Sequence, residues 1–283
     1  MADNRYLGKN TNYENNYSKE ILEFIPRKQI ILEAGKDLRS VSDGYDIWNC
    51  YELSWLDPNG KPKVAILQII YSSKTMKIVE SKSLKIYLNS FNFLKFKSVE
   101  ILKNMIKKDL SEGLETDIID VYLYDLKNKF YIINKILNKF VPLDKIKTPI
   151  SQYTTDSSLL VTLDCPTVNE RLYSNLLRSN CPVTGQPDWG SIFISYTGRK
   201  KIDKVSLLKY IVSFRNHNDF HETTADKIFS DLYQILKPYR LEVMCNYTRR
   251  GGIDINPVRI SGSDAFINRH LKKKKRLGRL ARQ

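Results

Sequence analysis

Apolar and polar positions follow two periods along this chain, and the change of period separates strands from helices. Residues 45–55 alternate aromatic and polar side chains as a strand does, and Asp57-Pro58-Asn59-Gly60-Lys61-Pro62 follows as a turn. Residues 64–71 and 76–79 are predicted as the two strands of a hairpin joined by 72–75. Leu84, Tyr87, Leu88 and Phe91 then lie on one helical stripe, with Ser81 or Ser83 as its cap. A second helix is predicted over 98–110, ending near Gly113, with Ile101, Leu102, Met105 and Ile106 facing inward. Residues 117–126 read as a strand.

The later part repeats this plan. A strand at 191–196 leads to a turn at 197–200 and a helix over 204–215, which carries Leu207, Leu208, Ile211 and Phe214 on one face. A further helix at 224–236 precedes strands at 239–247 and 253–260, which flank Arg249-Arg250-Gly251-Gly252. The segments 83–91 and 206–214 align without a gap as Ser-Leu-x-x-Tyr-x-x-Ser-Phe. The stripe Ile101, Leu102, Met105, Ile106 is matched with Ile228, Phe229, Leu232, Tyr233, so the chain reads as an internal duplication. Residues 127–157, lysine-rich with Pro142 and Pro149, are the expected connector between domains 1–147 and 148–283. The polar opening, with one apolar cluster at 21–31, is expected to wrap a body formed later.

Composition narrows the class. The 283 residues are 42% hydrophobic, as in a globular protein rather than a disordered one. No apolar signal-peptide core occurs in residues 1–20, and the longest strongly apolar run, 64–71, is too short to cross a bilayer. A soluble, cytoplasmic protein is therefore expected. Cys50, Cys165, Cys181 and Cys245 form no CxxC pair, and there are only three histidines, which argues against a zinc site, a disulfide framework or a histidine-rich metal site. The net charge of +15 invites a nucleic acid or a phosphate-bearing ligand, but the one dense run, Lys272 to Arg276, sits near the end and reads as a solvated tail.

Four stretches could carry chemistry. Residues 179–190, Ser-Asn-Cys-Pro-Val-Thr-Gly-Gln-Pro-Asp-Trp-Gly, put two prolines and two glycines around Cys181 and Asp188. Such a loop holds its backbone still, so it either presents a nucleophile beside a proton donor or is a turn that happens to contain a cysteine. Glu80-Ser81-Lys82 stands where a strand hands over to a helix. It reads as an anion site on free N–H groups, as a carboxylate for a ligand's N–H groups, or as a helix cap with a solvated lysine. His221 and Glu222 lie in a polar link between helices, compatible with a site or with a structural pair. Arg249 and Arg250 on a Gly-rich turn suit a phosphate or an exposed β-turn equally. No dinucleotide-binding GxGxxG and no P-loop is present.

Together these stretches resemble the NADPH-dependent 7-cyano-7-deazaguanine reductases, the nitrile reductases of queuosine biosynthesis. Glu80-Ser81-Lys82-Ser83-Leu84-Lys85-Ile86-Tyr87 resembles the family's Glu-Ser-Lys-Ser-x-Lys-x-Tyr signature, and 179–188 its catalytic loop. Phe220-His221-Glu222 and residues 249–257 match two further segments, in the order of the two-module branch. The resemblance implies an α+β tunnelling fold, with two tandem modules of antiparallel sheet backed by helices. It implies that Cys181 adds to the nitrile as a thioimidate while Asp188 supplies a proton, followed by two hydride additions from NADPH without a metal. Val79, Glu80, Ser81, His221 and Glu222 would bind the base, and Ser81, Lys82, Arg250 and Gly251 the dinucleotide. A homodimer acting on the free base, with no direct nucleic-acid or membrane partner, is the implied assembly. The rival readings are a metal-dependent cyclohydrolase of the same fold and a basic RNA-binding protein.

Overall fold

The computed structural model describes residues 6, 16–127, 131–132, 137–263, 278–279 and 283. The basic run at 272–276 and His270 lie outside them. Backbone proximity divides the chain into two compact units. Unit 1 comprises 1–28, 46–129 and 249–255, and unit 2 comprises 29–45, 130–248 and 256–283.

In unit 1, strands β1 (Phe24–Pro26), β2 (Asp43–Leu56, from residue 46 on), β3 (Pro62–Ser72) and β4 (Lys77–Val79) precede helices α1 (Ser81–Asn89) and α2 (Val99–Leu114) and strand β5 (Ile119–Tyr124). β3 lies between β5 and β2, with Ile66 paired to Tyr124 and Tyr71 to Ile119 in an antiparallel ladder. Leu67, Ile69 and Tyr71 alternate toward the helices and pack with Leu84, Tyr87, Phe91, Leu102 and Ile106 in one apolar core. The hairpin expected between 64–71 and 76–79 does not form, because β4 pairs with β1 instead, Ile78 opposite Ile25. The polar opening thus contributes a strand.

In unit 2, β6 (Thr162–Asn180) and β7 (Pro187–Ile202) form a long antiparallel hairpin, followed by α3 (Lys204–Ser213), α4 (His221–Leu236), β8 (Arg240–Tyr247) and β9 (Ile253–Ser261, from residue 256 on). The sheet order is β9-β8-β7-β6, with Val141–Pro142 added in parallel beside Leu172 and Tyr173. The predicted turn at 197–200 is strand, with Thr197 opposite Asn169 and Gly198 opposite Val168. The predicted connector is partly packed, since Leu143 is fully buried in the core of unit 2. Each unit is an antiparallel sheet backed by two helices, the α+β arrangement expected.

The duplication extends to hydrogen bonds. Tyr87 donates its hydroxyl to Asp109 at 2.6 Å, and Tyr210 donates to Asp231 at 2.6 Å. Ser90 Oγ donates to the Tyr87 carbonyl and Ser213 Oγ to the Tyr210 carbonyl. Ser83 bonds to the Glu80 carbonyl as Ser206 bonds to that of Asp203, each at 2.8 Å. Leu56 is held by Leu94 and Phe96 as Asn180 is by His217 and Asp219. The register of the second helix pair differs from the sequence match. Both helices have 16 residues, and Ile106, Leu110 and Leu114 correspond to Ile228, Leu232 and Leu236. Ile101 is 47% exposed rather than inward, because the helix stripe runs through Leu102, Ile106 and Leu110.

Candidate active site

The tip of the β6–β7 hairpin presents the thiol and the acid of unit 2. Ser179 pairs with Asp188 and Asn180 with Pro187, and the Cys181 N–H donates to the Gln186 carbonyl at 2.9 Å. That pairing makes Cys181 and Asp188 diagonal neighbours on one face of the hairpin, an arrangement that ordinarily sets side chains about 7 Å apart. The turn closes through Gly185, whose N–H donates to the Cys181 carbonyl at 3.0 Å and whose φ of 67° favours glycine. In unit 1 the corresponding turn holds Asp57 and Gly60, with the Asp57 N–H on the Lys61 carbonyl and the Gly60 N–H on Asp57. The thiol belongs to one half of the duplication alone.

Cys181 is buried at 3% exposure but belongs to neither apolar core. Cys50 and Cys245, by contrast, are packed inside the cores. Burial pushes the Cys245 thiol up to about 12 and that of Cys50 higher still, so neither is a nucleophile at neutral pH.

Asp188 is buried and meets His221, whose Nε2 lies 3.1 Å from its Oδ2. His221 opens α4 and is stacked flat on Tyr247 of β8, with ring centroids 3.8 Å apart and planes 6° from parallel. Glu222, the next residue, is 2% exposed. The predicted start of this helix at 224 was three residues late, and the correction places both His221 and Glu222 in its first turn. That is where a helix favours an acidic side chain. Sequence reasoning missed Tyr247, which stands between strand and turn residues with nothing in its spacing to mark it.

Unit 1 carries the remaining candidates. Val79 ends β4 and is 2% exposed. Glu80 is buried and caps α1, its carboxylate accepting from the Lys82 N–H at 2.7 Å and the Ser83 N–H at 2.6 Å. Those two N–H groups are therefore not free for an anion, which corrects that part of the expectation. Burial nevertheless raises the Glu80 pKa above 4.5, because desolvation outweighs the two backbone bonds. Ser81 Oγ lies 3.4 Å from the Glu80 carboxylate. Arg249 lies over the Tyr51 ring, 4.5 Å from its centroid. Arg250 is bridged to Ile253 across the turn through Gly251 and Gly252, both at positive φ. A Cβ on Gly251 would stand 3.2 Å from the Lys85 ammonium and one on Gly252 would run into the Glu52 carboxylate, so the turn lies against the Lys85–Glu52 ion pair, whose N–O distance is 3.4 Å. Among the described residues, no group of three or more His, Cys, Asp or Glu could hold a metal ion.

A family described as "Nitrile reductase, 7-cyano-7-deazaguanine-reductase N-term" matches residues 13–122, and one described as "QueF-like protein" matches 187–265. A protein of Polaromonas naphthalenivorans named NADPH-dependent 7-cyano-7-deazaguanine reductase is 43% identical over 92% of this chain and 94% of its own. Proteins of the same name from Paraburkholderia phymatum and Coxiella burnetii are each 42% identical, over 89% and 93% of this chain and 92% and 94% of theirs. The solved structure of the archaeosine synthase QueF-Like in the apo form aligns with 42% of this chain at 20% identity and a TM-score of 0.29, too slight a likeness to bear on the argument. Identity of this extent over more than nine-tenths of the chain means that it belongs to the NADPH-dependent 7-cyano-7-deazaguanine reductase family.

Proposed function

We propose that the protein reduces the nitrile of 7-cyano-7-deazaguanine to the aminomethyl group of 7-aminomethyl-7-deazaguanine, using NADPH. The observation that carries this reading is a buried thiol outside both apolar cores, on the same hairpin face as a buried acid that lies 3.1 Å from a histidine.

A nitrile carbon is a modest electrophile, and a thiolate is the side chain best suited to attack it. Cys181 forms the C–S bond as one C–N π bond opens, and the nitrogen takes its proton from Asp188, giving a thioimidate. His221 stands beside the Asp188 carboxyl, its Nε2 3.1 Å away, and its ring is stacked on Tyr247. After reduction at carbon, the nitrogen's electron pair re-forms a C=N bond and Cys181 leaves as thiolate. A second reduction of the imine gives the amine. NADPH, when bound, supplies the two hydrides, and Ser81, Lys82, Arg250 and Gly251 are the residues assigned to hold it. Val79, Glu80, Ser81, His221 and Glu222 are assigned to the base, the two carboxylates accepting from its adjoining N–H groups. A base without those donors would leave a buried carboxylate unpaired, which is costly.

We assign residues 1–147 and 148–283 to two modules of one duplicated ancestor; the paired Tyr–Asp and Ser–carbonyl bonds support the duplication, while the compact units exchange 29–45, 130–147 and 249–255 across that boundary. A homodimer and a cytoplasmic site of action complete the proposal. Among the described residues, no helix is long and apolar enough to cross a membrane.

The test uses the two carboxylates. Glu222→Gln is expected to raise the KM for the nitrile by about 10- to 100-fold, the worth of a hydrogen bond to a charged group, while the KM for NADPH stays unchanged. The raised Glu80 pKa adds a pH signature. Glu80 loses its charge at a higher pH than an ordinary glutamate as the medium is acidified, so wild-type KM should begin to rise there. Steady-state kinetics across pH should show that early rise removed in Glu80→Gln. Unchanged KM in both variants would refute the substrate assignment.

A further inference from the structure

The two halves provide a control within one molecule. Contacts found in both belong to the common scaffold, and contacts found in the thiol-bearing half alone are candidates for its chemistry. α2 and α4 occupy equivalent places and have equal length, yet they begin differently. In α2 the cap residue Ser98 accepts from the Ile101 N–H, and the first helical residues, Val99 and Glu100, are exposed. In α4 the cap position is Phe220, which provides no side-chain hydrogen bond, and His221 and Glu222 are buried. No cap side chain fixes the position of this turn, so some other support must hold it against the sheet.

That support is Arg259, a fully buried arginine in the middle of β9. Its Nε donates to the Asp226 carboxylate in a buried ion pair. Its Nη2 donates to the Glu222 carbonyl at 3.3 Å, and its Nη1 to the Val258 carbonyl at 3.1 Å. The Tyr45 carbonyl accepts a longer bond from Nη1, at 3.5 Å. One planar guanidinium therefore ties the first two turns of α4 to the sheet, at the Asp226 side chain and at the backbone of Glu222 itself. The equivalent of Asp226 in α2 is Asn104, so the carboxylate end of this clamp has no duplicate. Nothing in the scaffold common to both halves calls for it.

We propose that Arg259, together with Asp226, is a positioning residue for substrate recognition: it fixes the first turn of α4 and so sets the place of Glu222 and His221. The inference rests on the assignment of Glu222 to the base. It does not place Arg259 in contact with substrate, since the guanidinium acts through the Glu222 backbone and the Asp226 side chain.

Arg259→Lys keeps the charge that Asp226 requires but loses the fork that reaches two acceptors. It is expected to raise the KM for 7-cyano-7-deazaguanine by about 10- to 100-fold, the scale of a small misplacement of a site. The change in kcat should be much smaller, and the KM for NADPH should hold. Tyr210→Phe, which removes a bond of the duplicated scaffold, is the control and should lower the melting temperature without moving KM. Should Arg259→Lys not fold, Asp226→Leu combined with Arg259→Met removes both charges, an exchange that commonly keeps stability. A raised KM in that double variant supports the inference and a wild-type KM overturns it. Wild-type KM in folded Arg259→Lys, with a raised KM in Glu222→Gln, sinks the positioning role and spares the substrate assignment. Wild-type KM in Glu222→Gln removes both.

Discussion

Cys181→Ala is expected to lose turnover by more than about 10⁴-fold, the order seen when a covalent nucleophile is removed from an enzyme that depends on it. No other thiol can replace it. Cys50 and Cys245 are embedded in the cores with their thiols held protonated by burial. Cys165 lies on β6, at the far end of that strand from the turn. The variant should fold normally, because Cys181 contributes to neither apolar core and its backbone bonds to Gln186 and Gly185 survive the substitution. Circular dichroism and NADPH consumption measured on one preparation would separate the two effects. Activity within tenfold of wild type would mean that the sulfur does not form the bond assigned to it.

The second large effect falls on the acid. Asp188→Asn keeps the shape of the side chain and a group for His221 to meet, but it cannot deliver a proton to the nitrogen. A loss in kcat of about 10²- to 10⁴-fold is expected, the usual contribution of a positioned general acid, with the KM for the nitrile little changed. The KM and kcat responses thus divide the site. Variants at Glu222 and Arg259 should act on binding, and the variant at Asp188 on turnover. A fall in affinity with kcat intact in Asp188→Asn would move this residue from proton donor to base recognition.

Much of this was legible in the sequence because two local signals carry over directly into structure. The Pro and Gly density at 179–190 encodes a fixed turn, and the structure shows one, closed by Gly185 in the left-handed region. The shared Ser-x-x-x-Tyr-x-x-Ser pattern encodes a helix, and its Tyr and Ser make the same bonds in both halves. The misreadings have a common physical source, which is that pairing between distant segments has no local signature. β4 takes β1 as its partner although β3 is nearer in sequence. The second helices match in a different register because apolar stripes agree with themselves after several shifts. Glu80 shows the limit most plainly, since a glutamate before a helix reads equally as cap or ligand acceptor. The structure shows the cap bonds, with burial raising the carboxyl's pKa. Arg259 did carry a signal, as the one basic residue in the strand 253–260, but its partner Asp226 lies in a helix 33 residues earlier.

The central claim is a bond between one sulfur and one carbon. Intact mass of the wild-type protein, mixed with 7-cyano-7-deazaguanine in the absence of NADPH, should rise by the mass of one substrate molecule, and peptide mapping should place it at Cys181. NADPH added to that adduct should discharge the mass and be consumed twice for each amine released. An unchanged protein mass during active turnover, or an adduct mapped to any other residue, would contradict the account.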